Sequence, residues 1–173
     1  MSVYFTSDWH LSHTNLPNFR KYISSPEENE KLLVEAYEKI IKKQDVVWFL
    51  GDVAFDKRGL DVIGNLKGRK RLILGNHDLE TTNADQMAVF EEIHGMVRYK
   101  KMWLTHCPIH PDEMRRCVGN LCGHIHDQDI MKKTWYGKKV LDKKYLNCCV
   151  DAIYRNTGRF FYTLDEAKKH FNI

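Results

Sequence analysis

The stretch FTSDWH, residues 5–10, carries an apolar run that begins at Val3 straight into Asp8 and His10. A buried strand that ends in an acid and an imidazole two residues apart is unusual, and similar endings recur along the chain. Short runs rich in apolar, β-branched or aromatic residues cover 3–6, 46–50, 71–74, 102–105, 120–122 and 145–150, and read as strands. The first is followed by Asp8 and His10, and the second by Gly51 and Asp52. GNHD (Gly75, Asn76, His77, Asp78) follows the third, His106 the fourth, and GHIH (123–126) the fifth.

Between the first two runs, SPEENEKLLVEAYEKIIKK predicts a helix with Ser25 as N-cap and Pro26 at the first helical position. Its apolar face would carry Leu32, Leu33, Ala36, Ile40 and Ile41. Weaker helical patterns cover 58–66 and 85–93, and a last helix starts near Asp165. Strands alternating with helices, then strands dominating, predict an α/β domain with parallel strands and more antiparallel pairing toward the end. No repeat, low-complexity tract or Pro/Gly/Ser-rich linker divides the chain, so residues 1–173 are expected to form a single domain.

The hydrophobic fraction of 43% and charged fraction of 29% belong to an ordinary globular chain and exclude fibrous and disordered classes. The formal charge, 27 − 23 = +4, permits an anionic substrate without demanding nucleic acid. Basic residues gather at Lys67, Arg69, Lys70 and Arg71 and again over 132–144, both expected to be solvated surface without the interleaved aromatics of a nucleic-acid module. Five cysteines, an odd number without a CxxC pair, predict a reducing compartment rather than a disulfide framework. With no leader pattern and no run near the ~20 apolar residues that span a bilayer, the expected location is cytoplasmic, away from membranes.

Ligands of α/β sheets bind at the carboxyl ends of strands. Asp8, His10, Asp52, Asn76, His106, His124 and His126 all stand there, and each offers oxygen or imidazole nitrogen to a divalent metal. Seven donors are too many for one four-coordinate ion but suit two ions that share a carboxylate, with Asp52 the natural bridge. Donors without a thiolate favour Mn2+, with iron or zinc as alternatives.

The order DxH, GD, GNHD, H, GHxH, from Asp8 to His126, resembles that of the calcineurin-like metallophosphoesterases. The resemblance implies a four-layer α/β/β/α sandwich of two facing mixed sheets, with a dinuclear metal site at the strand ends and no cap domain. One ion would take Asp8, His10, Asp52 and His126; the other would take Asp52, Asn76, His106 and His124. It further implies a phosphoesterase, most simply a phosphodiesterase for nucleotide-like diesters, in which a hydroxide bridging the metals attacks phosphorus and His77 protonates the leaving oxygen. Asp78 would orient His77 or a ligand. A nuclease or a phosphomonoesterase is the alternative, and a silent scaffold is disfavoured because neither His77 nor a ligand is missing. The partner is thus a small phosphoester, with nucleic acid possible, and nothing in the pattern fixes the oligomeric state.

Phe55 stands where the family often has a second Asp, with Asp56 one residue later. THCPIHP after the fourth run, and HLSHTN after the first, resemble small bacterial and bacteriophage members. In that extension His13 and Asn15 either contact the substrate phosphate or open the helix that follows. Cys107, next to His106, is expected to turn away from the metals and pack.

Overall fold

The computed structural model describes residues 1–173, the side chain of Glu80 apart. In chain order the first half runs β1 (Val3–Thr6), α1 (Pro26–Ile40), β2 (Val46–Phe49), α2 (Lys57–Asn65), β3 (Arg69–Ile73), α3 (Asn83–Val89) and β4 (Glu92–His94). The second runs β5 (Met96–Tyr99), β6 (Met102–Thr105), β7 (Gly119–Cys122), β8 (Met131–Lys133), β9 (Lys139–Leu141), β10 (Tyr145–Asn147), α4 (Val150–Thr157), β11 (Tyr162–Thr163) and α5 (Leu164–Phe171).

Two mixed sheets result, ordered β11-β1-β2-β3-β4 and β10-β7-β6-β5, with β8 and β9 as a separate hairpin. β1 to β4 are parallel and β11 caps the edge antiparallel to β1. In the second sheet β6, β7 and β10 are parallel and β5 runs antiparallel to β6. Both sheets therefore aim several strand carboxyl ends the same way, which is what gathers the polar residues that follow them.

The sheets share one core, in which Phe5, Trp48 and Ile73 meet Met102, Leu104, Leu121 and Leu146, and α5 adds Ala167 and Phe171. On the outer face of the first sheet Val47, Phe49 and Leu72 pack with Leu33 and Tyr37 of α1 and Leu60 and Ile63 of α2. The second sheet is covered more thinly, by Met114 of a 3-10 turn (Pro111–Met114) against Cys122 and Tyr145. Among the described residues no helix is long and apolar enough to cross a membrane.

Local signals act as expected at the helix starts: Ser25 accepts from the Glu28 N–H with Pro26 behind it, and Thr163 and Glu166 form a capping box on α5. Several expectations shift. On α1 Ile40 is exposed and Tyr37 takes the core position, its hydroxyl donating to the Lys67 carbonyl. The helix expected over 85–93 ends at Val89, because Phe90 is extended and the chain enters β4. The run 145–150 divides, β10 stopping at Asn147 and Cys149 opening α4. Strands β4, β5, β8, β9 and β11 are short and lack a strong alternating pattern, so periodicity does not announce them.

Candidate metal centre

Pairing between β1 and β2 continues past the strand ends: Asp8 N–H donates to the Gly51 carbonyl, His10 N–H to Asp52 and Leu11 N–H to Val53, each at 3.0 Å. The loops can stay paired while turning outward because several residues adopt left-handed backbone. Asp8 (φ 59°), His10 (50°), Asp52 (53°), His124 (72°) and His126 (50°) all do so, a conformation uncommon for non-glycine residues. Five of the seven candidate donors thus carry local strain, which persists only where the surroundings over-determine it. Two glycines make the close approach possible. A Cβ on Gly51 would strike the His106 ring and lie 2.8 Å from the Gly75 Cα; one on Gly75 would strike the Asp52 carboxylate. The room that the missing Cβ leaves is occupied by the neighbouring donors.

The donor atoms converge. Atoms of Asp8, His10 and His126 lie within 4.8 Å of one another, and so do those of Asp8, Asp52 and His106. Asp52 Oδ2 sits between the groups, 3.9 Å from His10 Nε2 and 3.3 Å from His106 Nε2. Asn76 Oδ1 lies 3.0 Å from His106 Nε2 and 3.1 Å from His124 Nδ1. Cys107 departs from expectation: it is exposed, and its sulfur falls within the same 4.8 Å as nitrogens of His106 and His124. The chain leaves the strand register at His106, so alternation no longer separates the two side chains.

The fields are strong because the groups are buried. Burial opposes ionisation of Asp8, yet the His10 ring, its Nε2 3.6 Å from Asp8 Oδ1, and the field of His106 hold its carboxyl far below the usual range. For His106 burial again opposes the charge, but the Asp52 contact and the Asp8 and Asp52 fields raise it to about 9. Asp52 is likewise held down, against its burial, chiefly by His106.

Around these donors stands a network that strand-end motifs do not name. Asp151 Oδ2 lies 3.2 Å from His126 Nδ1, and its carboxylate accepts from Arg20 Nε at 2.7 Å and from the Tyr22 hydroxyl at 3.1 Å. Buried Arg20 also donates to the Asp8 carbonyl and to Asn29 Oδ1. Despite burial, His126 and Arg20 bring the Asp151 carboxyl down to about 2. The Cys149 thiol points to Asp8 Oδ2 at 3.1 Å. Asp151 was findable, since it follows the run 145–150 as Asp52 follows 46–50; Arg20 has no comparable signal.

Of the two partners expected for Asp78, His77 or a candidate ligand, its hydrogen bonds go to the loop of the candidate ligand Asp52. Its carboxylate accepts from the N–H groups of Asp52 (2.8 Å), Val53 (2.9 Å) and Gly75 (2.7 Å), tying two strand-end loops together. Burial, with the Asp52 charge, raises its pKa despite those amides. His77 donates its backbone N–H to Asp52 Oδ1 and stacks its ring on Phe55 at 4.6 Å. Phe55 also meets His13 edge-on at 4.5 Å, while Asp56 caps α2 through the Gly59 N–H. A cleft of about 650 Å3 opens here, lined by His10, His13, His77 and His126 and walled by Phe19 and Tyr154. Asn15 is exposed at the start of a 3-10 turn (Leu16–Asn18), apart from that lining.

A divalent cation fits the donor set. His10 is 4% exposed, and among the described residues neither ring nitrogen has a hydrogen-bond partner. Such a buried orphan costs about 1–3 kcal/mol, which a cation would relieve. His126 presents the pattern of a ligand whose second nitrogen is held by a carboxylate.

Comparison with known proteins agrees with this geometry. The chain is 39% identical over 82 residues to the gene 66 protein of Mycobacterium phage L5, covering 44% of this chain and 40% of that one, so it spans less than half of that relative. It is 31% identical over 158 residues to an uncharacterised protein of Methanocaldococcus jannaschii, covering 87% and 82%. The crystal structure of a protein of unknown function from Aquifex aeolicus shares the fold, with a TM-score of 0.67 at 23% identity over 97% of this chain and 98% of that one. Residues 1–145 match the calcineurin-like phosphoesterase profile, and with the sheets and donors placed as described, the chain belongs to the calcineurin-like phosphoesterase family.

Proposed function

We propose that the protein is a metal-dependent phosphodiesterase for nucleotide-like diesters. Asp8, His10, Asp52 and His126 would hold one divalent ion, and Asp52, Asn76, His106 and His124 a second. The observation that carries this reading is the position of Asp52 Oδ2 between His10 Nε2 and His106 Nε2. When bound, the ions supply Lewis acidity, offsetting phosphate charge and acidifying a water for attack.

The protein's own groups do the rest. His77 borders the cleft with its ring steadied by Phe55, which supports it as the group that gives a proton to the leaving oxygen. Asp78 holds the Asp52 and Gly75 amides and so fixes the bridge; it is a positioning residue. His13 borders the cleft as a phosphate contact. The open cleft leaves room for the organic arm of a diester, consistent with residues 1–173 acting as one domain without a cap. Oxygen and imidazole donors favour manganese, while the Cys107 thiol beside His106 and His124 favours zinc as the alternative there. Five free cysteines suit a reducing cytoplasm.

The test is hydrolysis of bis(p-nitrophenyl) phosphate against p-nitrophenyl phosphate by metal-stripped protein refilled with manganese, zinc or magnesium. Manganese-dependent diester hydrolysis is the expected result. Inactivity on both esters with two ions bound would overturn it.

A further inference from the structure

The hairpin of β8 and β9 stands apart from both sheets, and its construction is peculiar. Register pairs Lys133 directly with Lys139, and Lys132 with Val140. Like charges placed opposite one another destabilise a pair of strands, and an isolated two-stranded hairpin is marginal to begin with. Among the described residues Lys133, Lys138 and Lys139 have no carboxylate within 4.0 Å, while Lys132 lies 3.5 Å from Asp142. The other basic cluster is used internally: Lys67, Arg69 and Arg71 pair with Glu38, Glu91 and Glu92, and Lys70 is buried on the Leu66 carbonyl.

At the tip, between the lysines, Trp135 is 96% exposed and Tyr136 is 61% exposed, their rings edge-on at 5.3 Å. Gly137, at φ 84°, closes the turn with its N–H on the Thr134 carbonyl. MKKTWYGKK (131–139) therefore does interleave basic and aromatic residues, contrary to the expectation of plain solvated surface. The interleaving shows once the turn brings the two lysine pairs to either side of the rings.

The hairpin is also tied to the candidate metal centre. It begins five residues after His126, and Asn147 Nδ2 donates to the carbonyls of His126 and Gln128. Arg155 holds the Asp127 carbonyl and Asp129 Oδ1, and Arg155, Asp127 and Gln128 line the cleft.

We propose that this hairpin is a docking element for single-stranded nucleic acid, with Trp135 and Tyr136 stacking on bases and Lys133, Lys138 and Lys139 on phosphates. Exposed aromatic faces beside unpaired cations are what a flexible strand with accessible bases requires, and a polyanion relieves the Lys133–Lys139 repulsion. A duplex hides its base faces and offers the rings nothing to stack on. The inference stands independently of hydrolysis.

The test uses the full chain in EDTA, so that nothing is cleaved, with a fluorescein-labelled oligothymidylate followed by anisotropy and by tryptophan emission. Trp135 is the exposed one of the four tryptophans, so stacking should quench the red-shifted emission. Trp135→Ala is expected to weaken binding by about 10-fold or more. Lys133→Gln with Lys139→Gln should flatten the slope of log K against log salt by about 0.7 per lysine. All of these variants should keep wild-type hydrolysis of bis(p-nitrophenyl) phosphate. Binding that neither set of variants changes, equal affinity for duplex, or a blue shift on anionic vesicles without a response to the oligonucleotide would each overturn the proposal. Oligonucleotide binding by a protein inactive on both esters would retain it and remove the phosphodiesterase reading alone.

Discussion

Asp151 Oδ2 lies 3.2 Å from Nδ1 of His126, a residue whose ring also converges with Asp8 and His10. A carboxylate there fixes which nitrogen faces the metal position and makes it more basic. Asp151→Asn is therefore expected to weaken binding of the ion at Asp8, His10 and His126 by about 10- to 100-fold while leaving the fold intact. Isothermal titration with manganese measures this, and unchanged affinity would show that Asp151 serves Arg20 alone.

His77→Ala should leave two ions bound per chain and reduce turnover by about 100-fold or more, with the greatest loss on diesters with poor leaving groups. Comparing alkyl with nitrophenyl leaving groups separates a proton donor from a merely structural ring.

Asp52→Asn removes a charge placed between His10 and His106. Weaker occupancy at both positions is expected, read by metal analysis after gel filtration. A variant that keeps two tightly held ions would refute the bridging role.

Burial opposes a charge on His106, but Asp52 and Asp8 raise its pKa from 6.5 to about 9. The protonated imidazole thus stabilises the metal-free fold fully below pH 6.5, and that contribution is lost as pH rises through about 9. The Tm of EDTA-treated protein should fall across this window. Metal must displace the proton, so adding manganese at pH 7.5 in weak buffer should acidify the solution.

Trp9 separates Asp8 from His10 and faces the opposite way, fully buried against Phe49 at 5.3 Å and Tyr37 at 6.0 Å. Trp9→Ala should cost about 3–5 kcal/mol in denaturant unfolding and release the loop that carries both donors.

How much of this could be read beforehand follows from the range of each interaction. Asp8, Asp52 and His106 are visible because a strand end is a local pattern and parallel strands bring such ends together. The Arg20–Asp151 pair joins positions 131 residues apart, and no local periodicity encodes it. The left-handed backbone at His10 and His126 is equally hidden, since neither residue favours it and only the surrounding pairing imposes it. For Asp78 the motif leaves open whether His77 or a candidate ligand is its partner, and sequence adjacency cannot choose: its hydrogen bonds reach back to the Asp52 loop.

The Arg20–Asp151 link also bears on the order in which the chain is made. Every proposed donor has been synthesised by His126, yet Cys149 and Asp151, which contact Asp8 and His126, come later, as does β11, the partner of β1. A nascent chain stopped shortly after β10 would possess all seven donors and lack the groups that aim two of them. Productive ion capture would thereby wait for residues 149–163, so that loading of the centre would report that α4 and the edge strand β11 are in place.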